Sequence, residues 1–215
     1  MLTKPFDNCF ARSARVLFAG VLLAVSLPAA DTAAEVSERD ARAAEAVVAS
    51  LHRGLIDMSA SEPNASVEQR VDRLQPLISE THDLPYVAEL TIRRQWRDLT
   101  VAERERFVAA FERLSVRTYA SRFATVDENV FTIVGSGDAG SARIEVNTTI
   151  ARREGGNVTL DYTLHNRDGA WRIVNILADG VSDLALKRAE YRRILAGGTI
   201  DDLVDYLTRQ GDDLQ

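Results

Sequence analysis

Apolar positions change their period once along this chain, and the change separates two kinds of structure. From Ser37 to Phe123 they recur every three or four residues, as on one face of a helix. Val47, Val48, Leu51, Leu55 and Ile56 mark a first helix; Val67, Val71, Leu74 and Ile78 mark a second. Val87 and Leu90 mark a third, which runs toward Trp96. The fourth and longest carries Val101, Val108, Phe111, Leu114, Ser115 and Tyr119 and reaches about Phe123, with Arg104, Glu105, Arg106, Glu112, Arg113 and Arg117 on its predicted wet side. Capping boxes begin two of these helices, at Ser66–Gln69 and Thr100–Glu103; Ser37–Asp40 resembles one with Asp in the fourth place. Asp83 followed by Pro85 is a further helix start. Pro76 is expected to kink or weaken the second helix.

Beyond Phe123 the period becomes two. Asn129–Val134 reads as a strand closed by Gly135-Ser136-Gly137. Ile144, Val146, Thr148 and Ile150 alternate in the next, and Val158, Leu160, Tyr162 and Leu164 in a third. Asn166-Arg167-Asp168-Gly169 turns the chain into a fourth strand. There Trp171, Ile173, Asn175 and Leu177 share one face, while Val174 and Ile176 face the other way, which implies cover on both sides. Asp179-Gly180 breaks that strand, and Ser182 or Asp179 caps a helix with Leu184, Leu186, Tyr191, Ile194 and Leu195. Gly197-Gly198 ends it, and Thr199–Asp202 starts a last helix through Leu207. Helices, four antiparallel strands and helices again predict an α+β fold: a curved four-stranded sheet with helices on one side.

The first thirty residues follow another pattern. Lys4, Arg12 and Arg15 precede an apolar run from Val16 to Leu27, and small residues follow it. That is the order of a secretory signal peptide, expected to be cut after Ala30, with Ala34 the second choice. The run is short for a bilayer span of about 20 residues. Residues 31–211 then form a single domain. The lone cysteine, Cys9, lies before the run and would leave with it, so the exported chain would have neither disulfide nor thiol chemistry. A net charge of −6 argues against nucleic-acid binding.

Candidate chemistry is sparse. His52, His82 and His165 are not at metal-ligand spacing, and HExxH, phosphate-loop and GxSxG motifs are absent. His82 beside Asp83 fits a base with its orienting carboxylate, or simply a histidine at a helix cap. Asp161 and His165 stand too far apart along one strand to pair. Arg93-Arg94 and Arg152-Arg153 are basic doublets that serve as solvated surface or as a partner contact. What remains is the apolar face between sheet and helices, and periodicity alone does not distinguish a filled interior from a hollow one.

Two blocks bear on that choice: LPYVAELTIRRQWRDLTVAERERFVAAFERLSVRTYASRF from Leu84 to Phe123, and the stretch from Val158 to Leu207, with its GAWR strand, DGVS turn and GTIDDL helix start. Together they resemble the MlaC, or toluene-tolerance, family over nearly all of the chain beyond the leader. Ile92-Arg93 stands where that family usually has a leucine-glycine pair. The wording HDLPYVAE and TYASRF resembles its hopanoid-associated HpnM branch. The resemblance implies a periplasmic lipid carrier with no catalytic residue, no metal and no cofactor, its cargo being a glycerophospholipid or, alternatively, a hopanoid-type polycyclic lipid. Implied partners are an inner-membrane ABC transporter with an MCE protein and an outer-membrane lipoprotein complex. The implied fold is MlaC-like, akin to the NTF2-like cones; an enzyme on such a cone, similar to ketosteroid isomerase, is a third reading. The slot between sheet and helices is then expected to be lined by Val108, Phe111, Tyr119, Ile144, Val146, Leu160, Tyr162, Trp171 and Ile173. Arg93, Arg94 and Arg97 beside Trp96 are the expected partner contact.

Overall fold

The computed structural model describes residues 37–61, 63–126, 130–151 and 155–214. The expected leader and the doublet Arg152-Arg153 lie outside the described residues.

Among the described residues six helices accompany a sheet: α1 (Glu38–Ser61), α2 (Val67–Thr81), α3 (Leu84–Thr91), α4 (Val101–Arg122), α5 (Asp183–Leu195) and α6 (Ile200–Asp212). A 3-10 turn, Gln95–Asp98, joins α3 to α4. Ser66, Thr100 and Thr199 each complete a reciprocal capping box, and Asp83 accepts from the Tyr86 amide at the start of α3. Each cap contributes about 1 kcal/mol. Pro76 is accommodated inside α2.

The strands run β1 (Phe131–Asp138), β2 (Arg143–Ala151), β3 (Asn157–Arg167), β4 (Ala170–Ala178) and β5 (Val181–Ser182), antiparallel and in sequence order. The sheet therefore has five strands, not the expected four. Asp179 and Gly180 both take positive φ, 48° and 78°, so they make a two-residue hairpin and not merely a break; Val181 and Ser182 return against Ala178 and Leu177. Asp168-Gly169, at φ 54° and 81°, joins β3 to β4 in the same way. The glycines of β1 do not end that strand, which continues to Asp138 past a register shift between Ile133 and Gly135.

A second irregularity corrects the reading of β4. Thr163 pairs with Asn175 and Leu164 with Ile173, so Val174 is an extra residue. This bulge restarts the alternation. Trp171 and Ile173 share the helix-facing side with Leu164; beyond Val174 that side is taken by Ile176 and Ala178, opposite Tyr162 and Leu160. The apolar run thus reflects a face switch on one covered side of the sheet, not cover on both.

The joint between α2 and α3 closes part of the free edge of β4: His82 bridges Ile173 in parallel, and the Asp83 amide donates to the Ile173 carbonyl at 3.1 Å. Arg117, expected on the wet side of α4, is instead buried. Its guanidinium donates to the Gly211 carbonyl at 2.7 Å, the Leu214 carbonyl at 3.2 Å and the Glu68 carboxylate at 3.3 Å, which ties the end of α6 to α2 and α4.

Candidate functional site

Two parts of the interior face the same side of the sheet. Under α1 the packing is closed: Ala44, Val48, Leu51 and Leu55, with Ile144 and Val146 of β2, are all fully buried. Between α4 and α5 the packing opens into a cavity of about 510 Å³, within the usual range for small-molecule sites.

α4 supplies its longest wall. Phe111, Leu114, Ser115, Thr118, Tyr119 and Arg122 recur at helical spacing along the cavity. The sheet supplies Leu160 and Tyr162 from β3 and Ile173 to Ile176 from β4. Leu184, Leu186 and Tyr191 of α5 and Tyr206 and Gln210 of α6 close the far side. Arg122, Val181, Leu186 and Gln210 are exposed and mark the mouth. Val181 and Leu186, 53% and 59% exposed, give it an apolar lip. Lys187, also on the wall, is engaged by Asp183 at 2.7 Å, so Arg122 is the wall's cation without an ion pair among the described residues.

Buried polar pairs hold wall residues in place: His82, Tyr119 and Tyr162 all line the cavity. The Thr81 hydroxyl donates to the Leu77 carbonyl at 2.7 Å, so it must accept at 2.9 Å from His82 Nδ1–H. That tautomer leaves His82 Nε2 as an acceptor, and the Tyr119 hydroxyl donates to it at 2.9 Å. Burial lowers the His82 pKa to about 4 and pushes that of Tyr119 well up, so both groups are neutral at pH 7. His52 Nε2 lies 3.1 Å from the Tyr162 hydroxyl, its ring stacked on Phe131 with centroids 4.1 Å apart; burial lowers its pKa to about 4 as well. His165 pairs with Asp83 at 2.9 Å and stacks on Tyr86, while Asp161 accepts from Asn147. His82 therefore takes its partners from Thr81 and Tyr119, and Asp83 serves as a helix cap and as the partner of His165. Among the described residues no cluster of metal-ligating side chains is present.

Of the nine residues expected to line a slot, Phe111, Tyr119, Leu160, Tyr162 and Ile173 stand on the cavity wall. Ile144 and Val146 are instead sealed in the closed core, and Val108 and Trp171 pack against the core outside the cavity. Thr118 and Arg122 also stand on the wall: Thr118 falls within the α4 stripe, four residues after Leu114, and Arg122 extends it, three residues after Tyr119. Arg93, Arg94 and Arg97 are exposed. Trp96 beside them is half-buried and already covered: the Arg104 guanidinium lies 5.2 Å from its ring centroid and donates to its carbonyl at 3.1 Å.

A family model described as MlaC protein matches residues 51–209. Among solved structures, the chain is similar to a phospholipid-binding protein from Ralstonia solanacearum, determined in complex with a phospholipid. The TM-score is 0.68 at 18% identity, over 80% of this chain and 97% of that one. A search of curated proteins found no match.

Proposed function

The chain belongs to the MlaC family, and we propose that it is a non-catalytic carrier that holds the acyl chains of a glycerophospholipid in the cavity between α4 and α5. The observation that carries this reading is the 510 Å³ cavity itself, apolar along Phe111, Leu114, Leu160, Ile173 and Ile176 and open at a lip of Val181 and Leu186. Each methylene moved from water into such a wall contributes about 0.8 kcal/mol. Ten of them contribute about 8 kcal/mol before ordering costs, enough to hold a lipid during passage through water. Burial does this without any reacting group. The histidine on the wall supports the same reading: His82 lines the cavity, but Thr81 and Tyr119 occupy both of its ring nitrogens, which leaves none free for acid–base work.

The carrier works in the periplasm, after removal of the leader. It exchanges lipid between an inner-membrane ABC transporter with an MCE protein and an outer-membrane lipoprotein complex. Arg93, Arg94 and Arg97 form one docking surface. Replacing all three with Ser should slow transfer to transporter-containing liposomes, reduce its salt dependence and leave lipid occupancy unchanged.

Native mass spectrometry of protein purified from cells tests the central reading. One phospholipid per chain is expected. A polycyclic lipid in its place would transfer the reading to hopanoid carriage on the HpnM branch. Protein free of any lipid and turning over a small molecule would overturn it in favour of an enzyme.

A further inference from the structure

The hydroxyls on the cavity wall do not stand alike. Ser115 donates to the Phe111 carbonyl at 2.8 Å and Thr118 to the Leu114 carbonyl at 2.7 Å. Tyr119 donates to His82, Tyr206 to the Glu190 carboxylate, and Tyr162 is paired with His52. The protons of Ser115, Thr118, Tyr119 and Tyr206 are thus committed, and their oxygens turn only lone pairs to a ligand.

Tyr191 differs. It is 1% exposed, stands on the cavity wall and packs edge-on against Phe107 at 6.4 Å. Among the described residues its hydroxyl has no hydrogen-bond partner. The sealed polar side-chain atom without a partner among those residues is Arg70 Nε, so the Tyr191 hydroxyl is not walled in, and the residue that carries it lines the cavity. An O–H held this far from solvent is unfavourable until a ligand acceptor meets it.

The surroundings select that acceptor. Burial first, then the charges of Glu190 and Asp183, disfavour a negative charge at Tyr191. The same field disfavours a carboxylate or phosphate beside it. What fits is a neutral oxygen carried on an otherwise apolar molecule. We propose that the Tyr191 hydroxyl donates a hydrogen bond to an ester carbonyl of the cargo, which makes Tyr191 a specificity residue for acyl-ester lipids over their ether-linked counterparts. This inference rests on the carrier reading above.

The test compares dioleoyl phosphatidylethanolamine with its dialkyl ether analogue, in which a methylene replaces each ester carbonyl. Each is titrated into the delipidated protein against a fluorescent acyl probe. The parent protein should bind the ester about three- to tenfold more tightly, the worth of one neutral hydrogen bond. Tyr191→Phe keeps the ring and its contact with Phe107; it should bind the ether analogue like the parent and lose the ester preference. Equal affinities in the parent, or an undiminished ester preference in Tyr191→Phe, would overturn the role of Tyr191 and leave the carrier reading standing. Failure of the parent to bind either lipid would overturn both.

Discussion

The closed core under α1 and the cavity between α4 and α5 are built from similar apolar stripes against one sheet, yet one is filled and the other hollow. Under α1 the facing residues are mostly small or aliphatic, and the ring that α1 does carry, His52, lies flat on Phe131. Gly54 lets α2 approach so closely that a Cβ there would lie 2.4 Å from Leu77 Cδ2, and Ala44, Val48 and Leu51 seal against the sheet. On the other side, the Val174 bulge redirects β4, and Phe111, Tyr119 and Tyr191 stand between α4 and α5 as bulky props. Whether a helix closes down over its apolar face depends on the height of the side chains between and on the line of the strands beneath. Periodicity specifies neither.

The sharpest way to break this comparison is to truncate one residue on each side. Leu55→Ala in the closed core should cost about 4 kcal/mol, because it opens a void among fixed neighbours. Ile176→Ala on the cavity wall should cost about 1 kcal/mol, since one side of that residue already lacks partners. Urea unfolding of both variants decides the matter; equal losses would mean that the two halves are packed alike.

Acid should come next in size. His52 and His82 are neutral in the fold, with pKa values near 4, whereas an unfolded histidine titrates at 6.5. The unfolded chain therefore binds more protons between about pH 6.5 and pH 4. Stability is full above this window and falls as the pH drops through it, by something on the order of 3 kcal/mol for each histidine. His82→Gln should flatten that fall by about one proton's worth, as unfolding midpoints from pH 7.5 to 4.5 would reveal. An unchanged slope would place His82 in contact with solvent.

Arg117→Ala removes the guanidinium that holds the Gly211 and Leu214 carbonyls. A loss of about 2 kcal/mol is expected, with earlier hydrogen exchange in the last turn of α6, the helix that closes one side of the cavity. Thr199→Ala, which removes only the α6 cap, should cost about 1 kcal/mol. It would sharpen the comparison by loosening the hollow side alone.

The elements were legible wherever chemistry is local. Ser66, Asp83, Thr100, Ser182 and Thr199 announce their helices because a cap is a contact between near neighbours. β5 is legible too, in Asp179-Gly180, a dipeptide suited to a two-residue hairpin as well as to the break expected there. Five of the nine expected wall residues stand on the cavity because α4 and β3, and β4 as far as Ile173, keep their periods. Ile176 was assigned to the wrong face because a bulge inserts one residue without a sequence mark. Tyr191, Tyr206 and Gln210 were out of reach, since they meet the cavity only through the packing of α5 and α6 on the rest of the fold. The histidine partners join residues 37 and 110 positions apart and were equally invisible.

The central claim is that the space between α4 and α5 holds the lipid. Thr118 stands on the α4 wall, so Thr118→Trp should fill that space with an indole while leaving the closed core untouched. Native mass spectrometry of parent and variant, purified side by side from the same cells, measures the outcome directly. The account predicts one lipid per chain in the parent and none in Thr118→Trp, with the unfolding midpoint of the variant near that of the delipidated parent. Full lipid occupancy in the folded variant would contradict it.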